Sequence, residues 1–372
     1  MLVRGGTPLP YVRGVERTVS VPGKLFLCGE YAVLWGGTAR IAAVGPRLTG
    51  HVRRRDDREV HVVLQSGRIC GRATPLGANW TGEIGDEFLF AARAVDAVLT
   101  AHGRECLGFE VALSPSPPAP HGRKLGFGGS ARATVLTAEL SRYVLEESFD
   151  PLKLALMVHA GAQAGLGSGG DVAAVFAGGV IRYRRYAVEA LLNSSASGQL
   201  LSALAQAPAV DLRRLPVPKL HLAYAFSGES ASTPALIAEV ERRLSYDSRV
   251  RFVSDSDQLG EALEQAMVTQ DFASLRLTVS ELQALLASLG GLQTEAMRRV
   301  VAIARSYGGA AKMSGAGRGD GCILFSPDLE AQGAMIDGLR ARGFWTTPLQ
   351  VEVGLRGELK PDENLRTWLN AG

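Results

Sequence analysis

Lys124-Leu-Gly-Phe-Gly-Gly-Ser-Ala-Arg132 runs straight into a helical pattern that places Ala133, Leu136, Leu140 and Val144 on one face. Glycine adopts backbone angles that other residues resist and lets the main chain approach an anion closely. The first turn of a helix adds unpaired N–H groups and the positive end of the helix dipole. Gly126, Phe127, Gly128, Gly129, Ser130 and Ala131 therefore combine the elements of a phosphate cradle. The Ser130 hydroxyl is the candidate ligand for magnesium, and Lys124 adds positive charge at the entrance. The stretch is not a Walker A loop, in which the lysine follows the glycines. The competing reading is a tight strand-to-helix turn with no ligand.

The surrounding 372 residues are enough for two domains, and 46% hydrophobic residues supply material for a sizeable core. A net charge of +3, spread along the chain, is not a nucleic-acid footprint. Arg53, Arg54 and Arg55 are followed at once by Asp56, Asp57 and Glu59, which reads as a solvated hairpin. Cys28, Cys70, Cys106 and Cys322 have no metal-binding spacing, and they fit reduced, mostly buried thiols of a cytoplasmic protein. No run of 18 apolar residues predicts a membrane span, and the first twenty residues lack the apolar core of a signal peptide.

Further periodicities suggest mixed α and β structure. A strand-like run over 18–35 is broken at Pro22-Gly23, and strands are predicted within 51–64. Residues 86–101 predict an amphipathic helix, and the proline-rich 114–120 predicts a stiff connector into the glycine loop. Residues 205–219 read as a connection between domains, so the expected division is 1–210 and 211–372. Beyond it, 220–226 predicts a strand, and 234–245, 257–288 and 292–307 predict helices. Strands at 321–326 and 349–355 are expected to close the second domain.

Two more glycine-rich segments lie far from the first: Val21-Pro-Gly-Lys-Leu-Phe-Leu-Cys-Gly-Glu-Tyr-Ala-Val-Leu34 and Lys312-Met-Ser-Gly-Ala-Gly-Arg-Gly-Asp-Gly-Cys-Ile323. In this order and spacing the three resemble the motifs of the GHMP kinase superfamily, over nearly the whole chain. Details within them look like the phosphomevalonate kinase family. Gly29-Glu-Tyr-Ala-Val-Leu34 carries tyrosine where mevalonate kinases usually have histidine. Gly167-Ser-Gly-Gly-Asp-Val-Ala-Ala174 with Ile181-Arg-Tyr-Arg-Arg185 resembles that family's aspartate segment. Ser227-Gly-Glu-Ser-Ala-Ser-Thr233 resembles its serine/threonine segment.

The resemblance implies a two-domain α+β fold, with a ribosomal protein S5 domain 2-like N-terminal domain and a ferredoxin-like C-terminal domain. It implies ATP and Mg2+ as cofactors and a phosphorylated or hydroxylated small-molecule acid as acceptor. Lys24 is expected to stabilise the transferred phosphoryl group, and Asp171 to act as base or acceptor-orienting carboxylate. Their competing readings are a surface lysine and a helix N-cap. Arg182, Ser230, Ser232, Thr233, Lys312, Ser314, Gly315 and Gly317 are the expected substrate-side residues. His159 and Glu30 read as packing or hydrogen-bonding residues. The alternatives are a mevalonate kinase, whose acceptor is an alcohol, and a nucleotide-binding relative without catalysis.

The sequence also departs from the family pattern. Gly129 replaces the first serine of the usual Gly-Leu-Gly-Ser-Ser-Ala, and Arg132 brings a charge that either helps bind phosphate or points to solvent. Arg318 interrupts the third glycine run, so its backbone angle is ordinary or the loop differs. Residues 157–165 lack the glutamate with which many mevalonate kinases help hold magnesium.

Overall fold

A computed structural model describes residues 16–115, 125–196, 198–228, 233–319, 321–359 and 363–370. The described elements of the first domain begin with β1 (Glu16–Cys28), β2 (Thr38–Arg54), β3 (Glu59–Leu64), β4 (Gly67–Thr74) and β5 (Gly77–Trp80). They continue with α1 (Leu89–His102), β6 (Phe109–Leu113), α2 (Gly129–Val144), α3 (Pro151–Ala162), α4 (Gly170–Ala177) and β7 (Val180–Arg184). Then come α5 (Glu189–Ala196), α6 (Leu200–Gln206) and β8 (Leu212–Arg214). The second domain holds β9 (His221–Phe226), α7 (Thr233–Arg243), α8 (Tyr246–Thr269), α9 (Phe272–Ser288), α10 (Glu295–Ser306), β10 (Ala310–Ser314), β11 (Gly321–Ser326), α11 (Leu329–Arg340) and β12 (Thr346–Leu349). Last are β13 (Arg356–Glu358) and α12 (Glu363–Asn370).

Among the described residues the first sheet runs β13-β1-β2-β6-β3-β4-β5, with β7 also paired to β2 and β8 to β7. A strand between two layers needs apolar side chains on both faces. In β1, Val19, Val21 and Phe26 pack under the helices, while Leu25, Leu27 and Cys28 pack toward the second domain. The proline-glycine pair does not end this strand, as the sequence suggested. It produces a register shift between Val21 and Gly23, and pairing with β2 resumes at once.

The second sheet is antiparallel in the order β10-β11-β9-β12. With helices α7–α10 after its first strand and α11 after its third, this is the βαββαβ ferredoxin-like arrangement. The helical run predicted over 257–288 is two helices, because Gln270 turns left-handed at φ 57° and Asp271 caps the next helix through Ser274 N at 3.1 Å.

Two segments belong elsewhere than the sequence reading put them. Residues 212–214, read as part of a connection, pair with β7 in the first sheet. Of residues 349–355, only Leu349 closes the second sheet, opposite Leu222 at the end of β12; Val351 and Val353 bridge to Val44 and Gly178, and β13 then pairs with β1. Alternation in so short a run fixes a strand tendency and not its partner.

Candidate active site

The central contact is between β1 and the glycine loop. A Cβ on Gly23 would meet Phe127 Cβ at 3.0 Å, so glycine is what lets the loop lie this close. Lys24 N donates to Phe127 O at 3.2 Å, and Lys24 Nζ donates to Gly126 O at 3.2 Å. The Lys24 stem also runs beneath Gly128, where an added Cβ would lie 3.2 Å from Cγ. Gly128, at φ 76°, caps α2 without any side-chain cap. The ladder of α2 starts at Arg132 N to Gly128 O, 3.0 Å, so the N–H groups of Gly129, Ser130 and Ala131 precede it. Lys24 is thus a loop-facing residue, not an unattached surface lysine.

Asp171 sits in the first turn of α4, whose N-cap is Gly169 at φ 75°. The N-cap reading of Asp171 is therefore corrected: the chain turns two residues earlier, on Gly169. One carboxylate oxygen accepts from Val172 N at 2.9 Å. The other lies 3.6 Å from His159 Nε2, which is itself 3.1 Å from Ser130 Oγ. Lys24 Nζ is 5.6 Å from the centre of the Phe26 ring, and a Cβ on Gly170 would meet that ring at 3.2 Å. Lys24, the glycine loop, Ser130 and Asp171 consequently border one region around Phe26 and His159.

The third glycine segment braces the first. Ser314 Oγ donates to Phe26 O at 3.0 Å, and Tyr31 Oη donates to Ala316 O at 2.7 Å. Burial, and then the charge of Glu30, push the Tyr31 phenol above its ordinary range, which keeps it a donor. Gly315 and Gly317 take φ 96° and 88°. Arg318 takes φ 52°, so the loop does impose a left-handed angle on an arginine. That strain costs about 1–2 kcal/mol. A forked pair with Glu239, 2.6 Å on both arms, holds the side chain.

Three expectations change. Lys312 does not face the cleft: it is wholly buried, with Nζ 2.5 Å from Glu30 Oε1 and 2.7 Å from Met313 O. Lys312 is on the edge strand β10, yet it is enclosed at the domain contact, and a lysine can be buried there only where an anion meets it; Glu30 is that anion. Arg182 lies directly opposite Arg40 in the register, on the face that carries Ala42 and Val180 toward the second domain. Lys24 and Phe26 share the other face, so strand alternation separates Arg182 from them. Arg132 is 3% exposed and neither faces solvent nor forms an open anion site: its Nη1 lies 3.4 Å from Pro46 O, and burial lowers its pKa to about 10.

Lys124, Ser230 and Ser232 lie outside the described residues, and Thr233 opens α7. The reading of Glu30 as a hydrogen-bonding residue agrees with its place beside Lys312. His159 is more closely tied to the site than its sequence context indicated. The available signal was a lone histidine on the apolar α3, ahead of a glycine-rich turn.

No group of three or more His, Cys, Asp or Glu side chains suited to a metal occurs among the described residues. A magnesium ion takes few protein ligands and several oxygens from phosphates and water. The hard oxygens of Ser130 and Asp171, joined through His159, fit that requirement.

Sequence comparison matches residues 261–343 to the C-terminal domain of GHMP kinases. A phosphomevalonate kinase from Streptomyces sp. is 31% identical over 92% of this chain and 99% of its own length. A mevalonate kinase from Aeropyrum pernix is 28% identical over 82% of this chain and 86% of its own. Among solved structures, Streptococcus pneumoniae phosphomevalonate kinase in complex with phosphomevalonate and AMPPNP superposes with a TM-score of 0.76. That match has 18% identity and covers 89% of this chain and 99% of the other.

Proposed function

The chain belongs to the phosphomevalonate kinase family of the GHMP kinase superfamily, and from that premise we infer that it phosphorylates 5-phosphomevalonate. The terminal phosphoryl group of ATP passes to the acceptor phosphate, giving 5-diphosphomevalonate and ADP. The observation that carries this reading is the approach of Lys24 to the uncapped, left-handed glycine turn that opens α2.

Phosphoryl transfer demands alignment and charge compensation more than covalent help. The N–H groups of Gly129, Ser130 and Ala131 bind phosphate oxygens of ATP, and Lys24 offsets charge on the transferred group. A phosphate monoester has a second pKa near 6, so its attacking oxygen is already anionic at neutral pH. Asp171 therefore orients the acceptor and its surroundings, whereas an alcohol acceptor would need it as a base. Magnesium would be held by Ser130 Oγ and the Asp171 carboxylate, and when bound it neutralises charge on the phosphates. Gly315 and Gly317 form the acceptor-side wall. Arg182 is given no part in the transfer. Four unpaired cysteines support a cytoplasmic location.

A coupled ADP-release assay tests this directly. Turnover is expected with phosphomevalonate, and Lys24→Met and Asp171→Asn each lower it by roughly a hundredfold or more. Turnover of mevalonate alone would replace the reading with a mevalonate kinase. ATP binding without turnover of either acid would make the protein a binding module.

A further inference from the structure

We propose that His159 is a positioning residue that sets Ser130, on the nucleotide side, relative to Asp171, on the acceptor side. The proposal deepens the kinase reading and rests on it for the reaction. Its geometry stands independently. His159 is 1% exposed and closes the last turn of α3. One ring face tilts against Phe90, with centroids 5.2 Å apart. Nε2 lies 3.1 Å from Ser130 Oγ and 3.6 Å from Asp171 Oδ2. Nδ1 is buried and has no hydrogen-bond partner among the described residues.

The tautomer follows from that asymmetry. A proton on Nδ1 would be a buried donor with nothing to receive it, which is unfavourable. The proton accordingly belongs on Nε2, facing the two oxygens. A hydroxyl that accepts this bond keeps a second lone pair and its own proton, both turned outward in a fixed direction. Ser130 belongs to the first turn of α2 and Asp171 to the first turn of α4, so one N–H on the last turn of α3 hydrogen-bonds the first helix start at 3.1 Å and stands 3.6 Å from the carboxylate of the second. A histidine serving packing alone would have no reason to spend its polar atom on two residues of the site.

The test compares His159→Phe, which keeps the ring and the Phe90 contact without the donor, with His159→Gln, which returns an N–H near the Nε2 position. His159→Leu is carried alongside, so that misfolding of one variant does not decide the matter. Thermal midpoints are measured first, then steady-state kinetics. Binding of a non-hydrolysable ATP analogue is then titrated against magnesium by calorimetry, which requires no turnover. Losing a hydrogen bond that orients a ligand-bearing side chain typically weakens binding or activity by roughly 10–100-fold. The folded donor-free variants are expected to lose at least about tenfold in kcat and in apparent magnesium affinity, and H159Q to recover most of both. In a Ser130→Ala background the same substitutions are expected to add less than about twofold, because their effect passes through Ser130.

Equal impairment of the Phe, Leu and Gln variants, or full additivity with S130A, would overturn the proposal and leave a packing residue. If the unaltered protein fails to use phosphomevalonate, the reaction assignment falls. The analogue titration still decides the role of His159.

Discussion

Lys312 and Glu30 are a case where charge is used for structure. Both side chains are almost fully enclosed, and Glu30 Oε2 has no hydrogen-bond partner among the described residues. The carboxylate thus depends on a single ammonium group. Removing one partner of a buried pair usually costs about 3–5 kcal/mol, whereas replacing both with apolar groups is often far milder. Lys312→Met is therefore expected to lower unfolding free energy by about that amount, with the further change Glu30→Leu restoring most of it. Urea denaturation of the two variants measures the difference. Equal destabilisation by the single and double variants would show that the pair is not the source.

At the scale of elements, the start of α2 is set by backbone shape. Gly128 combines a left-handed φ of 76° with a close approach to the Lys24 stem. An alanine there pays about 1–2 kcal/mol for the angle and also displaces the lysine. Gly128→Ala is expected to reduce turnover by more than its loss of stability explains, at least about tenfold in a protein still folded at the assay temperature. Kinetics read beside a melting curve would expose the opposite case, in which activity simply follows the folded fraction.

These elements differ in how plainly the sequence announced them. The glycine loop, α2 and β9 were legible because glycine spacing and apolar period act locally. The break at Gln270 was hidden, since the apolar period continues on both sides of one left-handed residue. Arg182 and Lys312 were recognised as cations, yet sequence alone does not say which strand face is under the helices or which anion of the other domain meets the lysine. His159 lies 29 residues from Ser130, and its helix pattern reveals a buried side, not the neighbour on that side.

On the scale of the whole molecule, the two domains are joined by side chains and by a shared core. Thr38 N and Oγ1 donate to Asp257 Oδ1 at 2.8 and 2.7 Å, and Glu264 lies 3.4 Å from Arg40 and 2.5 Å from Arg213. Tyr224 Oη donates to Leu125 O at 2.9 Å, tying the second sheet to the glycine loop. Leu25, Leu27 and Val44 of the first sheet pack in one apolar cluster with Leu222, Leu263 and Phe325. Domains that share a core are expected to melt together. One calorimetric transition is expected, with single-tryptophan reporters at Trp80 and Trp345 losing signal at the same temperature. Two separated transitions would contradict that coupling.

The pairing of Ser20 with Arg356 and of Thr18 with Glu358 has a consequence for biosynthesis. A ribosome releases Glu16 long before it has made the strand that flanks it. Throughout most of translation the nascent first sheet keeps an open border beside the lysine-bearing strand. Its native neighbour arrives only when synthesis has passed through the entire second domain, so vectorial growth cannot finish the two halves in turn.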